Sequence, residues 1–250
     1  MVQEDNMAKE KKLPSGISII LPAFNEEKNI EQMVDECLSY LRKLKDGYEI
    51  IIVNDGSWDK TGEIAQKIAQ RNKKVRVLTH PVNKGYAQAL RDGFNSAKFD
   101  YVFFTDADRQ FKLDALDVMF PIAKTQVVDL VIGYRLKRKD PFLRKLLSWG
   151  YNTLASFLFD LNVKDIDCAF KLFRKDIFKK IKIESKYFFF NTEILAKARF
   201  FGFNIIEVGV PHFPRTAGKS TVSFKYIPLT IRELIRIRKN LQKLKKGRKS

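Results

Sequence analysis

Apolar residues in the first half of this chain follow two alternating patterns. Short apolar runs at Ile17–Leu21, Tyr48–Val53, Val75–Leu78, Tyr101–Thr105 and Asp129–Ile132 read as buried strands, with Pro22 ending the first. Between them, apolar positions recur at helical spacing and predict helices over Glu26–Lys45, Thr61–Arg71, Gly85–Ala97 and Leu113–Ala123. In the first of these the stripe is Ile30, Met33, Val34, Cys37, Leu38 and Leu41. Strands alternating with helices at this spacing imply right-handed crossovers and an α/β fold, a mostly parallel sheet with helices on both faces.

Such sheets bind ligands beyond the carboxyl ends of their strands. Those ends carry Pro22 to Glu26, Asn54-Asp55-Gly56-Ser57, His80 to Lys84 and Asp106-Ala107-Asp108, all with acids, amides or both. No GxGxxG follows any strand, which removes a dinucleotide-binding reading.

The second half is less regular. Phe142–Leu161 reads as a helix with Leu143, Leu146, Leu147, Tyr151, Leu154 and Leu158 on one side. An added strand is expected within Asp167–Phe173, a helix over Asn191–Phe201 and a strand over Asn204–Val210. From about Ile227 a last helix carries Thr230, Leu234, Ile237, Leu241 and Leu244 on one stripe, with basic residues around it. The pattern divides the chain into a polar lead (1–15), one α/β domain (16–225) and a basic amphipathic tail (226–250). The lead has no apolar signal core, and no run reaches the roughly 18 apolar residues that a spanning helix needs.

Charge changes the picture more than size does. The 250 residues carry a net charge of +18, which calls for an anionic partner. The excess is concentrated: Tyr134–Lys145 has six basic residues against one acid, and Arg215–Ser250 has twelve against one. Both amphipathic segments suit a membrane surface, where each cation near anionic lipid contributes about 1 kcal/mol. The alternative is that their apolar stripes bury against the domain. The basic stretches lack interleaved aromatics or a nucleic-acid motif, which speaks against nucleic acid. Cys37 and Cys168 stand alone without metal-type spacing, the usage of a reduced cytoplasmic protein.

The stretch TDADRQF carries the candidate chemistry. Two carboxylates one residue apart at a strand end repel each other, and a divalent cation between them reverses that sign. Mg²⁺ is typically held by one or two carboxylates plus substrate phosphates. Asp106 and Asp108, with an amide oxygen from Gln110, would therefore grip a cation that also grips a diphosphate. The same residues could instead simply cap a turn.

ISIILPAFNEEKNI, IIVNDGSWDKT, HPVNKGYAQALRDGF and TDADRQF occur in that order, one per strand–helix unit. From about Ser15 to Thr221 the chain resembles family 2 glycosyltransferases of the GT-A fold, within them the dolichyl-phosphate mannose synthase group. The resemblance implies inverting, metal-dependent transfer of a hexose from a nucleotide sugar, GDP-mannose or UDP-glucose, to a polyprenyl phosphate, with a saccharide or another lipid as the alternative acceptor. It implies Mg²⁺ or Mn²⁺ at Asp106, Asp108 and Gln110. The nucleotide sugar would meet Pro22, Phe24, Glu26, Val53, Asp55, Asp106, Ala107, Arg135 and Arg215, with Phe24 where the family usually has Tyr. The acceptor phosphate would meet Arg135, Arg144, Ser148, Arg215 and Ser220; Lys219 precedes that Ser, where the family often has Lys just after it.

An acceptor phosphate is already ionised and needs no general base. Asp167 and Glu193 are the late acids that could serve as one; Asp167 lies in a segment that in the family lines the sugar pocket. Glu193 reads rather as an acid at a helix N-terminus, favoured by the dipole. His80 and His212 are expected to be structural or to edge the nucleotide. The expected location is peripheral, on the cytoplasmic face of a membrane, which leaves room for a membrane-embedded partner subunit.

Overall fold

The computed structural model describes residues 15–125, 127–136, 142–185, 189–214 and 227–247, the side chains of 142–144 and 227 excepted. The expected lead before residue 15 and the segment from Arg215 through Ser220 lie outside them.

Among the described residues seven strands form one sheet in the order β3-β2-β1-β4-β6-β5-β7. They are β1 (Gly16–Ala23), β2 (Gly47–Asn54), β3 (Val75–Thr79), β4 (Tyr101–Thr105), β5 (Leu130–Leu136), β6 (Phe170–Arg174) and β7 (Ile205–Pro211). All pairings are parallel except those of β6, which runs antiparallel between β4 and β5. Every residue of β1 and β4 is buried, as a sheet covered on both faces requires.

The helices are α1 (Ile30–Leu41), α2 (Thr61–Arg71), α3 (Tyr86–Ser96), α4 (Leu116–Lys124, after a 3-10 turn at Leu113–Ala115), α5 (Phe142–Phe159), α6 (Ile177–Lys180), α7 (Phe190–Phe201) and α8 (Ile227–Gly247). Aromatic side chains join them to the sheet. On one face Tyr101 and Phe120 meet edge to face, with centroids 5.4 Å apart, and bind α4. On the other, Phe94 of α3 packs against Phe104, Phe173, Phe178 and Phe190, joining α3, α6 and α7.

Several boundaries shift by a few residues from the sequence reading, and two of the shifts have a clear local cause. β1 runs through Pro22 to Ala23. Its pairing with β4 stops at Ile20 while that with β2 continues to Ala23, so Pro22 lies where β1 has lost one neighbour and a missing N–H is tolerated. The first helix begins at Ile30 because Glu26 to Asn29 form a turn of their own. In it the N–H groups of Asn29 and Ile30 donate to Glu26 O, each at 2.9 Å.

Candidate functional site

The carboxyl ends of β1, β2 and β4 lie side by side, and their loops are cross-stitched. Asn25, at φ 57°, donates its backbone N–H to Ser57 Oγ and accepts from Trp58 N on Oδ1. Glu26 N donates to Thr61 Oγ1 at 2.7 Å, and the Glu26 carboxylate accepts from Asn29 Nδ2 at 2.7 Å. Pro22, Val53 and Ala107 are buried, whereas the Phe24 ring is exposed and offers a stacking face.

Asp55, only 3% exposed, is more than a turn residue. Its Oδ1 meets His80 Nδ1 at 2.6 Å and accepts Lys84 N at 2.9 Å; its Oδ2 accepts Gly85 N at 2.8 Å. The far nitrogen of His80 meets Asp92 Oδ2 at 2.9 Å. One carboxylate therefore organises the whole loop from β3 to α3. His80 is thereby held between two carboxylates.

The diacid turn follows β4. Tyr86 donates its hydroxyl to Asp106 Oδ1 at 2.9 Å, and Gln110 N donates to Asp108 Oδ1 at 3.2 Å. Burial first, then the Asp106 charge, push the Tyr86 phenol well above the usual tyrosine range, so it stays a donor. Arg109 takes a left-handed φ of 60° and turns its guanidinium away to Glu36 on α1. Gln110 donates its side-chain N–H to Phe213 O, while Phe213 N donates to Gln110 O. His212 bridges to Phe111 and is thereby held beside the turn.

Arg135, at the end of β5, makes a two-pronged contact with Asp165 at 2.7 and 2.8 Å, both side chains being 7% exposed. The guanidinium expected to meet phosphate is here matched by a carboxylate the sequence did not single out. Asp167 follows in the same loop, close enough to Tyr151 for its charge to raise that phenol, although burial is the larger cause. Cys168 is an inert thiol: burial, then the Asp165 charge, push it up to about 12.

This loop is fixed from beneath by Lys171, which is fully buried. Its ammonium donates to Ile166 O at 3.0 Å, to Cys168 O and to Asn191 Oδ1 at 3.0 Å. From α5, Asn152 accepts Ile166 N at 2.8 Å and donates to the Ser148 carbonyl at 2.7 Å. Glu193 is fully buried and accepts from Glu184 N, Ser185 N and Ser185 Oγ while pairing with Lys197 at 2.7 Å. It anchors the loop at Glu184 and Ser185. Arg144 lies in the first turn of α5, but its side chain is outside the described residues, as are Arg215, Lys219 and Ser220.

Among the described residues no three His, Cys, Asp or Glu side chains form a ready metal cage. A pair of carboxylates completed by substrate phosphate is the arrangement Mg²⁺ commonly accepts. The donor set fits: Asp106 and Asp108 bring hard oxygens, and Gln110 Oε1 makes no hydrogen bond among the described residues.

No helix among the described residues is long and apolar enough to cross a membrane. The middle of the α8 apolar stripe is used in packing: Leu234 and Ile237 are buried, while Leu244 of the stripe, and Ile231 and Ile235 beside it, remain exposed. On α5 the exposed side chains include Trp149 (67%) and Phe157 (84%).

A parallel sheet with one antiparallel insertion, and a diacid turn beyond its central strand, defines the GT-A class of α/β folds. The family model for Glycosyl transferase family 2 matches residues 18–182, and the chain belongs to that family. Dolichyl-phosphate beta-glucosyltransferase ALG5A of Trichomonas vaginalis is 36% identical over 208 residues, 78% of this chain and 64% of its own length. This chain thus spans less than two thirds of that relative. The Homo sapiens dolichyl-phosphate beta-glucosyltransferase is 31% identical over 230 residues, 83% of this chain and 70% of its own. Both are named for glucosyl, not mannosyl, transfer. A crystal structure of glucosyl-3-phosphoglycerate synthase from Mycobacterium tuberculosis, with Mn²⁺, UDP and glucosyl-3-phosphoglycerate, matches with a TM-score of 0.70 at 18% identity. It covers 91% of this chain and 80% of that one, a likeness of fold.

Proposed function

We propose that the protein transfers glucose from UDP-glucose to a polyprenyl phosphate of the dolichyl type, with inversion at the anomeric carbon. The observation that carries this reading is the diacid turn itself, braced by Tyr86 and set beside the Asp55 loop, together with the glucosyltransferase relatives.

Asp55 favours uridine over guanosine as the donor base. Its Oδ1 already takes two partners, which leaves acceptor capacity only on Oδ2. Uracil presents a single N–H to such an oxygen. Guanine presents two adjacent donors that ask for both oxygens of a carboxylate. GDP-mannose is the poorer fit.

Asp106 and Asp108, with Gln110, would hold Mg²⁺ or Mn²⁺, which supplies charge neutralisation to the diphosphate. An oxygen of the acceptor phosphate bonds to C1 of glucose as the C1–O bond to UDP breaks, and UDP departs with the electron pair. The acceptor is already anionic, so no side chain need remove a proton. Asp167, in the loop that carries Asp165, would orient sugar hydroxyls. Arg135 gives phosphate a two-pronged partner if Asp165 yields it. The exposed rings of Trp149 and Phe157 suit a membrane surface bearing the lipid acceptor. The two free, buried cysteines fit its cytoplasmic side.

The test is transfer of label from UDP-glucose and from GDP-mannose into organic-extractable lipid, given polyprenyl phosphate and Mg²⁺ or Mn²⁺. Label from UDP-glucose that disappears with Asp108→Ala supports the reading. Label from GDP-mannose alone would overturn the donor assignment, and binding of UDP-glucose without lipid labelling would overturn the acceptor.

A further inference from the structure

Tyr86 opens α3 and is the neighbour of Gly85. Gly85 donates its backbone N–H to Asp55 Oδ2 at 2.8 Å, and Tyr86 donates its hydroxyl to Asp106 Oδ1 at 2.9 Å. Two consecutive residues thus reach the acid beyond β2 and the acid beyond β4, on either side of β1 in the sheet. The Asp55 bond fixes the backbone from which the Tyr86 ring projects.

We propose that Tyr86 is a positioning residue for the divalent cation: its hydroxyl sets the Asp106 carboxylate in the orientation that receives the metal. This rests on the metal-dependent reading above. A carboxylate on a short side chain turns in a broad torsional well, so losing the Tyr86 bond would leave Asp106 freer to turn and raise the ordering entropy spent when a cation arrives. A hydrogen bond from outside the coordination sphere removes that freedom, and groups in such positions commonly set metal affinity. The chemistry of the donor matters. A lysine or arginine here would also hold Asp106, but its charge would cancel the field that draws the cation. A phenol orients the carboxylate and leaves the charge of the pair intact. Phenylalanine would fill the same space, so packing alone does not call for the oxygen.

The experiment measures Mn²⁺ binding by the loss of the free-ion electron paramagnetic resonance signal, in the full chain with UDP present. Wild type, Tyr86→Phe and Tyr86→Leu are compared, with thermal midpoints and metal-free UDP binding recorded for each. Tyr86→Phe removes one oxygen and keeps the ring; Tyr86→Leu also removes packing. The expected result is about a tenfold weaker Mn²⁺ affinity in both variants. Metal-free UDP binding should stay within about twofold of wild type, and Tyr86→Leu should melt lower than Tyr86→Phe. Mn²⁺ affinity within about twofold of wild type in Tyr86→Phe would overturn the inference and leave the metal reading standing. An affinity loss that follows the melting temperature, small in Phe and large in Leu, would also overturn it. A wild type that binds no Mn²⁺ would overturn the metal reading and this inference with it.

Discussion

Replacing Lys171 by methionine isolates what a fully buried cation contributes to the loop that faces the diacid. Methionine matches the length of the lysine stem and can stay against Phe104, over whose ring the ammonium sits at 5.8 Å. What disappears is a group with three N–H donors and three acceptors: Ile166 O, Cys168 O and Asn191 Oδ1. Two terms oppose each other. Burial disfavours the charge and lowers the Lys171 pKa, so its removal returns some free energy. Against this, three buried acceptors lose their donor, each costing about 1–3 kcal/mol. All three acceptors are neutral, so no lone charge is stranded and the net sits near the low end, about 3 kcal/mol. For a chain of this size that lowers the melting temperature by about 6–12 °C. Urea unfolding of wild type and Lys171→Met, followed by circular dichroism, reads the loss as a lower midpoint at unchanged slope. A difference below about 1 kcal/mol would refute the reasoning, because the loop would then satisfy its carbonyls without the ammonium.

Three other variants probe other parts of the molecule. Lys197 and Ser185 hold the Glu193 carboxyl below its usual range against the opposing effect of burial. A carboxyl with a depressed folded-state pKa contributes above its unfolded value of about 4.3 and loses that contribution as pH falls through the folded value. Glu193→Gln should therefore cost about 3 kcal/mol at pH 7, with the gap narrowing on acidification below about pH 4.3; a gap that widens there would contradict the assignment. Gly56 has φ 69°, and an added Cβ would lie 2.3 Å from the Val82 carbonyl carbon, so Gly56→Ala should lose about 2 kcal/mol in thermal unfolding. Serine at both Trp149 and Phe157 should reduce cosedimentation with anionic vesicles about a hundredfold while UDP binding holds, each buried ring contributing about 1.5–3 kcal/mol; unchanged cosedimentation would show that this face does not meet lipid.

The sheet was legible wherever a strand is buried on both faces. Tyr101–Thr105 and Thr61–Arg71 lie where the apolar pattern puts them, because local periodicity and burial agree there. Asp167–Phe173 was legible only in part. β6 begins at Phe170, since Lys171 and Asn152 bind the preceding residues into a loop. The acids could be nominated from TDADRQF and NDG, but their partners could not. His80 meets Asp55 across 25 residues, Tyr86 meets Asp106 across 20, and Arg135 meets Asp165 across 30. No periodicity in the chain encodes such pairings; they follow from which strand ends the sheet order brings together. HPVNKGY held two of these residues in view, and only the position of Gly85 and Tyr86 at the start of α3 gives them their targets.

The one antiparallel strand explains why residues from both halves of the chain meet at a single edge. Parallel strands present their exits there: Asp55 follows β2, Asp106 follows β4, and Arg135 closes β5. A further parallel strand between β4 and β5 would send its entrance to the opposite edge, far from these acids. Because β6 runs the other way, Phe170 at its entrance pairs with Thr105 at the exit of β4. The residues just before Phe170 are therefore delivered beside Asp106, close enough for the Asp106 charge to act on Cys168. Asp165 and Asp167 arrive by the same route. The strand reversal thus sets the Asp165–Arg135 pair and Asp167 against the diacid turn, and Lys171 locks their loop from within the strand that delivers it. Acids that would scatter to two edges in an all-parallel sheet converge on one, the edge at which the proposed divalent cation would offset their mutual repulsion.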